Sequence, residues 1–166
     1  YIEHLKYRHN QPLSEFWQTK LRDLSDKIPL KQTVSLVESA LVKVPMVVGY
    51  FKPVILMPIG AVNNLSMEQV EAILAHELAH ILLYRYIGED YNRLPTWLNE
   101  GVASIAEQYA NPDYALAVKR AEESKSLMPI DELCAPFPRD ASQAFLAYAE
   151  AESFTRYLQN NYGTSG

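Results

Sequence analysis

At 166 residues, 48% apolar and 21% charged, the chain is long enough to bury a core as one domain and too ordinary in composition to be disordered. A net charge of −5 argues against a nucleic-acid surface, and a single cysteine, Cys134, excludes an internal disulfide framework. The longest apolar run, Ala40 to Val62, is interrupted by Lys43, Pro45, Lys52, Pro53 and Pro58, so the chain contains no membrane span.

The chain opens without Met and without a charged-then-apolar leader, which reads as a domain excised from a longer protein. Residues 1–12 form a polar and aromatic lead-in. From Leu13 to Ile28, the positions Leu13, Phe16, Trp17, Leu21, Leu24 and Ile28 fall on one helical face, and Pro29 breaks it. Thr33–Glu38, Lys43–Tyr50 and Pro53–Met57 read as strands, with turns near Gly49-Tyr50 and Pro58-Ile59-Gly60. Ser66 with Gln69 three positions on forms a capping box that opens a helix running to Ile87, and Gly88 is its terminator. Asp90–Pro95 is a loop. Thr96 caps a helix reaching about Tyr109, Asn111-Pro112 restarts another, and residues 126–139 are mostly loop around a short apolar turn. Asp140 starts the last helix, which runs to about Asn160.

The chemistry lies in His76-Glu77-Leu78-Ala79-His80. Residues four apart on a helix lie about 40° apart round the axis and about 6 Å along it, so both imidazoles can point at one ion. Zinc accepts neutral imidazole nitrogens tetrahedrally, and a catalytic site adds a third protein ligand and a water. Glu77 sits about 100° round from His76, beside the metal rather than on it, where a carboxylate can act as general base. Two histidines could instead decorate a surface helix, but these lie among Ile73, Leu74, Leu78, Ile81 and Leu82, where unpaired imidazoles are costly.

Glu100 is the favoured third ligand, because its helix can return antiparallel after the loop; Glu107 is the alternative. Glu107 reads either as a solvated helix charge or as an acceptor for the N–H of a ligand histidine. A tetrahedral intermediate also needs an oxyanion donor. Tyr148 on the last helix is the choice, with Arg156 and Tyr157 two turns later, although a tyrosine is more often an aromatic packing residue.

His76-Glu77-x-x-His80, nineteen intervening residues and then Asn99-Glu100 are similar to the gluzincin metallopeptidases. Trp97-Leu98-Asn99-Glu100-Gly101-Val102-Ala103 resembles the second-helix motif of their aminopeptidase and peptidase-MA-like branches. The end, Ala147-Tyr148-Ala149-Glu150 through Phe154-Thr155-Arg156-Tyr157-Leu158 to Tyr162-Gly163, resembles the close of peptidase-MA-like domains. Upstream, Val44-Pro45-Met46-Val47-Val48-Gly49-Tyr50, Lys52-Pro53-Val54-Ile55-Leu56-Met57-Pro58 and Leu65-Ser66 through His80 resemble the metallopeptidase domain of beta-lactam-sensing receptors. In that family the domain is tied to membrane helices and cleaves a regulatory protein. Two departures stand out: the chain has no Glu-rich segment with paired cysteines, and Ser104 stands where many gluzincins carry an acidic residue.

The resemblance implies an α+β, zincin-like fold in a single domain over residues 1–166. A small N-terminal sheet with a helix and the active-site helix would occupy about 13–88, and a mainly helical part about 96–161. Pro53–Met57 is expected to be an edge strand that pairs with extended substrate. The expected function is a Zn2+-dependent peptidase acting on a peptide or protein, with His76, His80 and Glu100 as ligands, Glu77 as base and Tyr148 as oxyanion donor. The parent protein would be membrane-anchored or extracytoplasmic. The alternatives are a sensor or transducer domain acting on one regulatory partner, and a pseudoenzyme.

Overall fold

The computed structural model describes residues 9–49, 51–107 and 111–163. The architecture is α+β. The chain divides into two units, Tyr1–Gly88 with Glu107–Tyr109, and Glu89–Ala106 with Ala110–Gly166.

In the first unit the lead-in contributes a short strand, β1 (Asn10–Pro12), followed by helix α1 (Glu15–Ser25), shorter than the expected 13–28; its Trp17, Leu21 and Leu24 pack on the main core as anticipated, whereas Phe16 is exposed. Three strands follow, β2 (Ser35–Ser39), β3 (Met46–Val48) and β4 (Val54–Pro58). The sheet order is β1-β2-β4-β3, with β2 and β4 parallel and the outer pairs antiparallel. This corrects the expectation that residues 53–57 form an edge strand: β4 is hydrogen-bonded on both sides, and β3 lies at the edge. The reason is visible in its composition. Ile55, Leu56 and Met57 are all fully buried, and a strand covered on both faces needs a continuous apolar run rather than alternation.

Ile55 and Met57 face the main core with Leu21, Leu36, Val70, Leu74 and Leu78, whereas Leu56 faces a smaller cluster with Val48. Gln18 of α1 donates to the Leu36 carbonyl at 2.7 Å, which joins the helix to the sheet. Gly60 follows β4 with φ 76°, a left-handed turn that suits glycine, and a short helix not anticipated from the pattern, α2 (Ala61–Asn64), comes next. The long helix α3 (Met67–Ile87) ends at Gly88 with φ 67°.

The second unit begins with a 3-10 segment, Gly88–Arg93 in its full extent, and continues with α4 (Thr96–Ala106), α5 (Tyr114–Glu123), α6 (Ile130–Cys134) and α7 (Ala141–Tyr162). Helix α4 ends at Ala106, three residues before the expected Tyr109, which lies outside the described residues. Helix α5 starts at Tyr114 rather than at Pro112. Asn111 Oδ1 accepts from the Asp113 N–H at 3.0 Å, an Asx turn that delays the first helical turn. Asp140 caps α7 by accepting from the N–H groups of Ser142 and Gln143. Trp97, Leu133, Ala147 and Ala151 form the core of this unit, with Phe137 and Phe154 packed against it.

Small residues on α7 let its neighbours approach. Ala147, Ala149 and Ala151 are essentially inaccessible, and α7 contacts both α4 and α5. Gly101 of α4 faces Ala151 and Thr155 of α7 so closely that a Cβ there would overlap the Thr155 hydroxyl and the Ala151 carbonyl.

Candidate active site

Helix α3 is held in register at both ends and along its length. At its start the Ser66 Oγ accepts from the Gln69 N–H at 3.3 Å, and the Gln69 side chain accepts from the Ser66 N–H at 2.9 Å, so the capping box is complete. Lys20 of α1 pairs with Glu71 at 2.6 Å. Val70, Leu74, Leu78 and Ile81 are buried in the main core.

This anchoring sets His76 and His80 one turn apart, half-buried, with ring centroids 4.9 Å apart and planes inclined at 75°. Glu77 lies between them in sequence and is only 6% exposed. The Nδ1 of His76 is 2.8 Å from Oε1 of Glu107, just past the end of α4. An ionised carboxylate can only accept, so Nδ1 carries the proton and Nε2 is the nitrogen with a lone pair to offer an ion. Of the two readings of Glu107, the acceptor for a histidine N–H is therefore the one observed. Glu107 lies just beyond the end of α4 rather than within the helix expected to reach about Tyr109.

Two imidazoles on one helical face, one of them oriented through its second nitrogen by a carboxylate, fit a divalent metal such as zinc.

The other anticipated residues lie in the second unit. Glu100 is half-buried in α4, next to the Gly101 that sets the spacing between α4 and α7. Tyr148 is half-buried on α7 with its ring edge-on to Phe137, centroids 5.0 Å apart. Arg156 donates through Nε to Glu152 at 2.7 Å, and Tyr157 is 54% exposed. Ser104 is buried, and its hydroxyl has no hydrogen-bond partner among the described residues.

Two buried carboxylates on α7, Glu150 and Glu152, were not anticipated. Glu150, 7% exposed on α7, accepts from the Met128 N–H at 3.0 and 3.3 Å and so ties residues 126–138 to the helix. Its position between Ala149 and Ala151 on a close-packed helix was the available signal. Burial raises its pKa above the ordinary carboxylate range, opposed by the Met128 hydrogen bond. The folded chain thus keeps a proton that the unfolded chain has already released. Stability is expected to fall as pH rises from about the ordinary Glu value through the raised one, and to change little from this group below that window. Glu150→Gln, which keeps an oxygen for Met128, is expected to remove that slope in chemical denaturation run from about pH 4 to about pH 8. An unchanged slope in the variant would show that Glu150 does not cause it.

Two family models match the chain. The one described as Peptidase MA superfamily matches residues 48–166, and the one described as BlaR1 peptidase M56 matches residues 3–83. Neither the curated proteins nor the solved structures contain a match. Both family models describe peptidases of the metal-dependent type, which implies a metal cofactor and a peptide or protein substrate. Among the described residues, no helix is long and apolar enough to cross a membrane. The chain belongs to the Peptidase MA superfamily, as a metallopeptidase domain whose N-terminal region is similar to the BlaR1 peptidase M56 family.

Proposed function

We propose that the protein is a zinc-dependent peptidase with a zincin-like fold, its two units working as one domain, an α/β part over about 13–88 and a helical part over about 96–161. The observation that carries this reading is the His76 side chain, set beside His80 and held through Nδ1 by Glu107. His76, His80 and Glu100 would hold the ion, two neutral imidazoles and a carboxylate being a donor set that suits zinc. The ion supplies a Lewis acid that acidifies water and polarises a carbonyl oxygen.

The chain's own residues do the rest. The Glu77 carboxylate takes a proton from the attacking water and returns it to the leaving amine. The Tyr148 hydroxyl donates to the developing oxyanion. Glu107 fixes the tautomer and ring orientation of His76. Extended substrate would add to the outer edge of β3, the strand that lies against α3 in the first unit.

The test is hydrolysis of an unfolded protein by the zinc-loaded chain. Activity should disappear on chelation and return with zinc, and hydrolysis insensitive to chelation would overturn the reading. Glu100→Ala is expected to lose most of its bound zinc in a metal analysis after dialysis; a full complement would show that another residue is the third ligand. Glu107→Ala should retain the site but weaken zinc about 10–100-fold in chelator competition. No change there would make the His76–Glu107 pair purely structural.

A second reading is favoured by the match of residues 3–83 to the M56 model: a sensor or transducer domain of a membrane-anchored parent, acting on one regulatory partner. Broad hydrolysis of unstructured proteins would count against it.

A further inference from the structure

Within the second unit, α5, the turn before it and α7 line a half-open cavity of about 350 Å³ that the peptidase reading does not use. Pro112, Tyr114, Val118 and Ala149 give it an apolar wall, and the Tyr114 ring is braced edge-on by Phe145 at 5.0 Å. Its polar lining is sorted by hydrogen-bonding role. The one carboxylate, Glu152, is buried, and its Oε1 accepts from Arg156 Nε at 2.7 Å. The Asn111 carbonyl oxygen accepts from the Asp113 N–H, which leaves the amide's NH2 as its contribution to a ligand. Ser153 adds a hydroxyl.

Arg156 is the centre of this arrangement. A guanidinium has five N–H donors in a rigid fork, and Nε uses only one of them. The buried Glu152 thus fixes the plane of the group and offsets the cost of partly burying its charge, while the side chain remains 43% exposed. The Nη1 and Nη2 groups form the edge that matches a carboxylate bidentately. An oriented fork, further donors in the lining and an apolar wall describe recognition of a carboxylate on a short apolar body. The cavity volume lies at the small end of the range for ligand sites.

We propose that this cavity binds a carboxylate carried on a short aliphatic or aromatic body, with Arg156 as its bidentate partner and Glu152 as the positioning residue. Such a group occurs in a free small acid and at the C-terminus of a peptide, and the same chemistry serves both. The site stands apart from hydrolysis, since none of its residues is assigned to the metal or the base.

The experiment is calorimetric titration of the whole chain with N-acetyl-L-leucine, its neutral analogue N-acetyl-L-leucinamide, and the peptide Ala-Ala-Ala-Leu with a free C-terminus. The acid or the free-terminus peptide should bind saturably, and the amide at least about tenfold more weakly, the difference a charge-assisted pair makes. Tighter binding of the peptide assigns the ligand to chain termini, and tighter binding of the acid to free small acids.

Arg156→Met alone would strand the Glu152 charge, so the double variant Glu152→Gln/Arg156→Met is used, and it should lose the preference for the acid. Ala115→Phe, at an exposed position on the cavity wall, should weaken binding with the ion pair intact. Equal affinity for acid and amide, no saturable binding, or undiminished binding in both variants would overturn the proposal.

Discussion

Glu77→Gln is expected to lower hydrolysis of an unfolded protein at least about 100-fold while zinc content stays near stoichiometric. The two readouts separate because of where Glu77 sits. It lies between His76 and His80 in sequence but about 100° round the helix from His76, which is why it is proposed as the base and not as a ligand. Its side chain is buried in α3, and Gln has the same shape without the charge, so the helix and the two imidazoles should hold their places. What disappears is the only group proposed to take and return the proton. Peptide-release kinetics and atomic emission on the same sample decide the matter. Full activity in the variant would sink the general-base assignment, and loss of zinc would mean that Glu77 supports the ligands rather than the reaction.

Gly101→Ala should be the most damaging of the conservative substitutions, because it sets helix propensity against packing. In an exposed helix interior, alanine is favoured over glycine by about 1 kcal/mol. Here a Cβ would lie 2.5 Å from the Ala151 carbonyl oxygen and would overlap the Thr155 hydroxyl. The threonine could rotate, but the carbonyl belongs to the backbone of α7 and can move only with the helix. Overpacking of this kind costs about 1–3 kcal/mol, against which alanine's helix propensity returns about 1 kcal/mol, so a net loss of about 1 kcal/mol and a fall of about 2–4 °C in Tm are expected. Thermal unfolding followed by circular dichroism measures it. Since the proposed ligand Glu100 immediately precedes Gly101, the proposal also expects a displaced α4 to weaken zinc binding. A variant as stable as the parent would show that α4 and α7 can separate freely.

The two family matches overlap in a way that bears on the third ligand. The overlap, residues 48–83, contains β4 and the His-Glu-x-x-His segment of α3, so that segment is common to both. Glu100 lies within the Peptidase MA match alone. The metal analysis of Glu100→Ala therefore tests the very residue on which the two resemblances part.

Features set by neighbours along the chain are legible in the sequence alone. The capping box at Ser66, the Gly88 terminator, the Asp140 cap and the one-turn spacing of His76 and His80 all depend on contacts within three or four residues. The apolar run at 54–57 is legible as a strand for the same reason, because residue type reports strand character locally.

Its place in the sheet was not legible. Strand order is decided by which segments bury the most apolar surface together, and residues 54–57, apolar on both faces, took the interior while residues 46–48 took the edge. The same limit applies to partners distant in sequence. The local pattern carries the helix past Glu107 to about Tyr109, but only the folded chain, ending α4 at Ala106, pairs Glu107 with His76, thirty-one residues away. Nothing local pairs Glu150 with Met128. That contact arises because a buried carboxylate and a loop N–H each needed a partner, and the tertiary fold brought the two within reach.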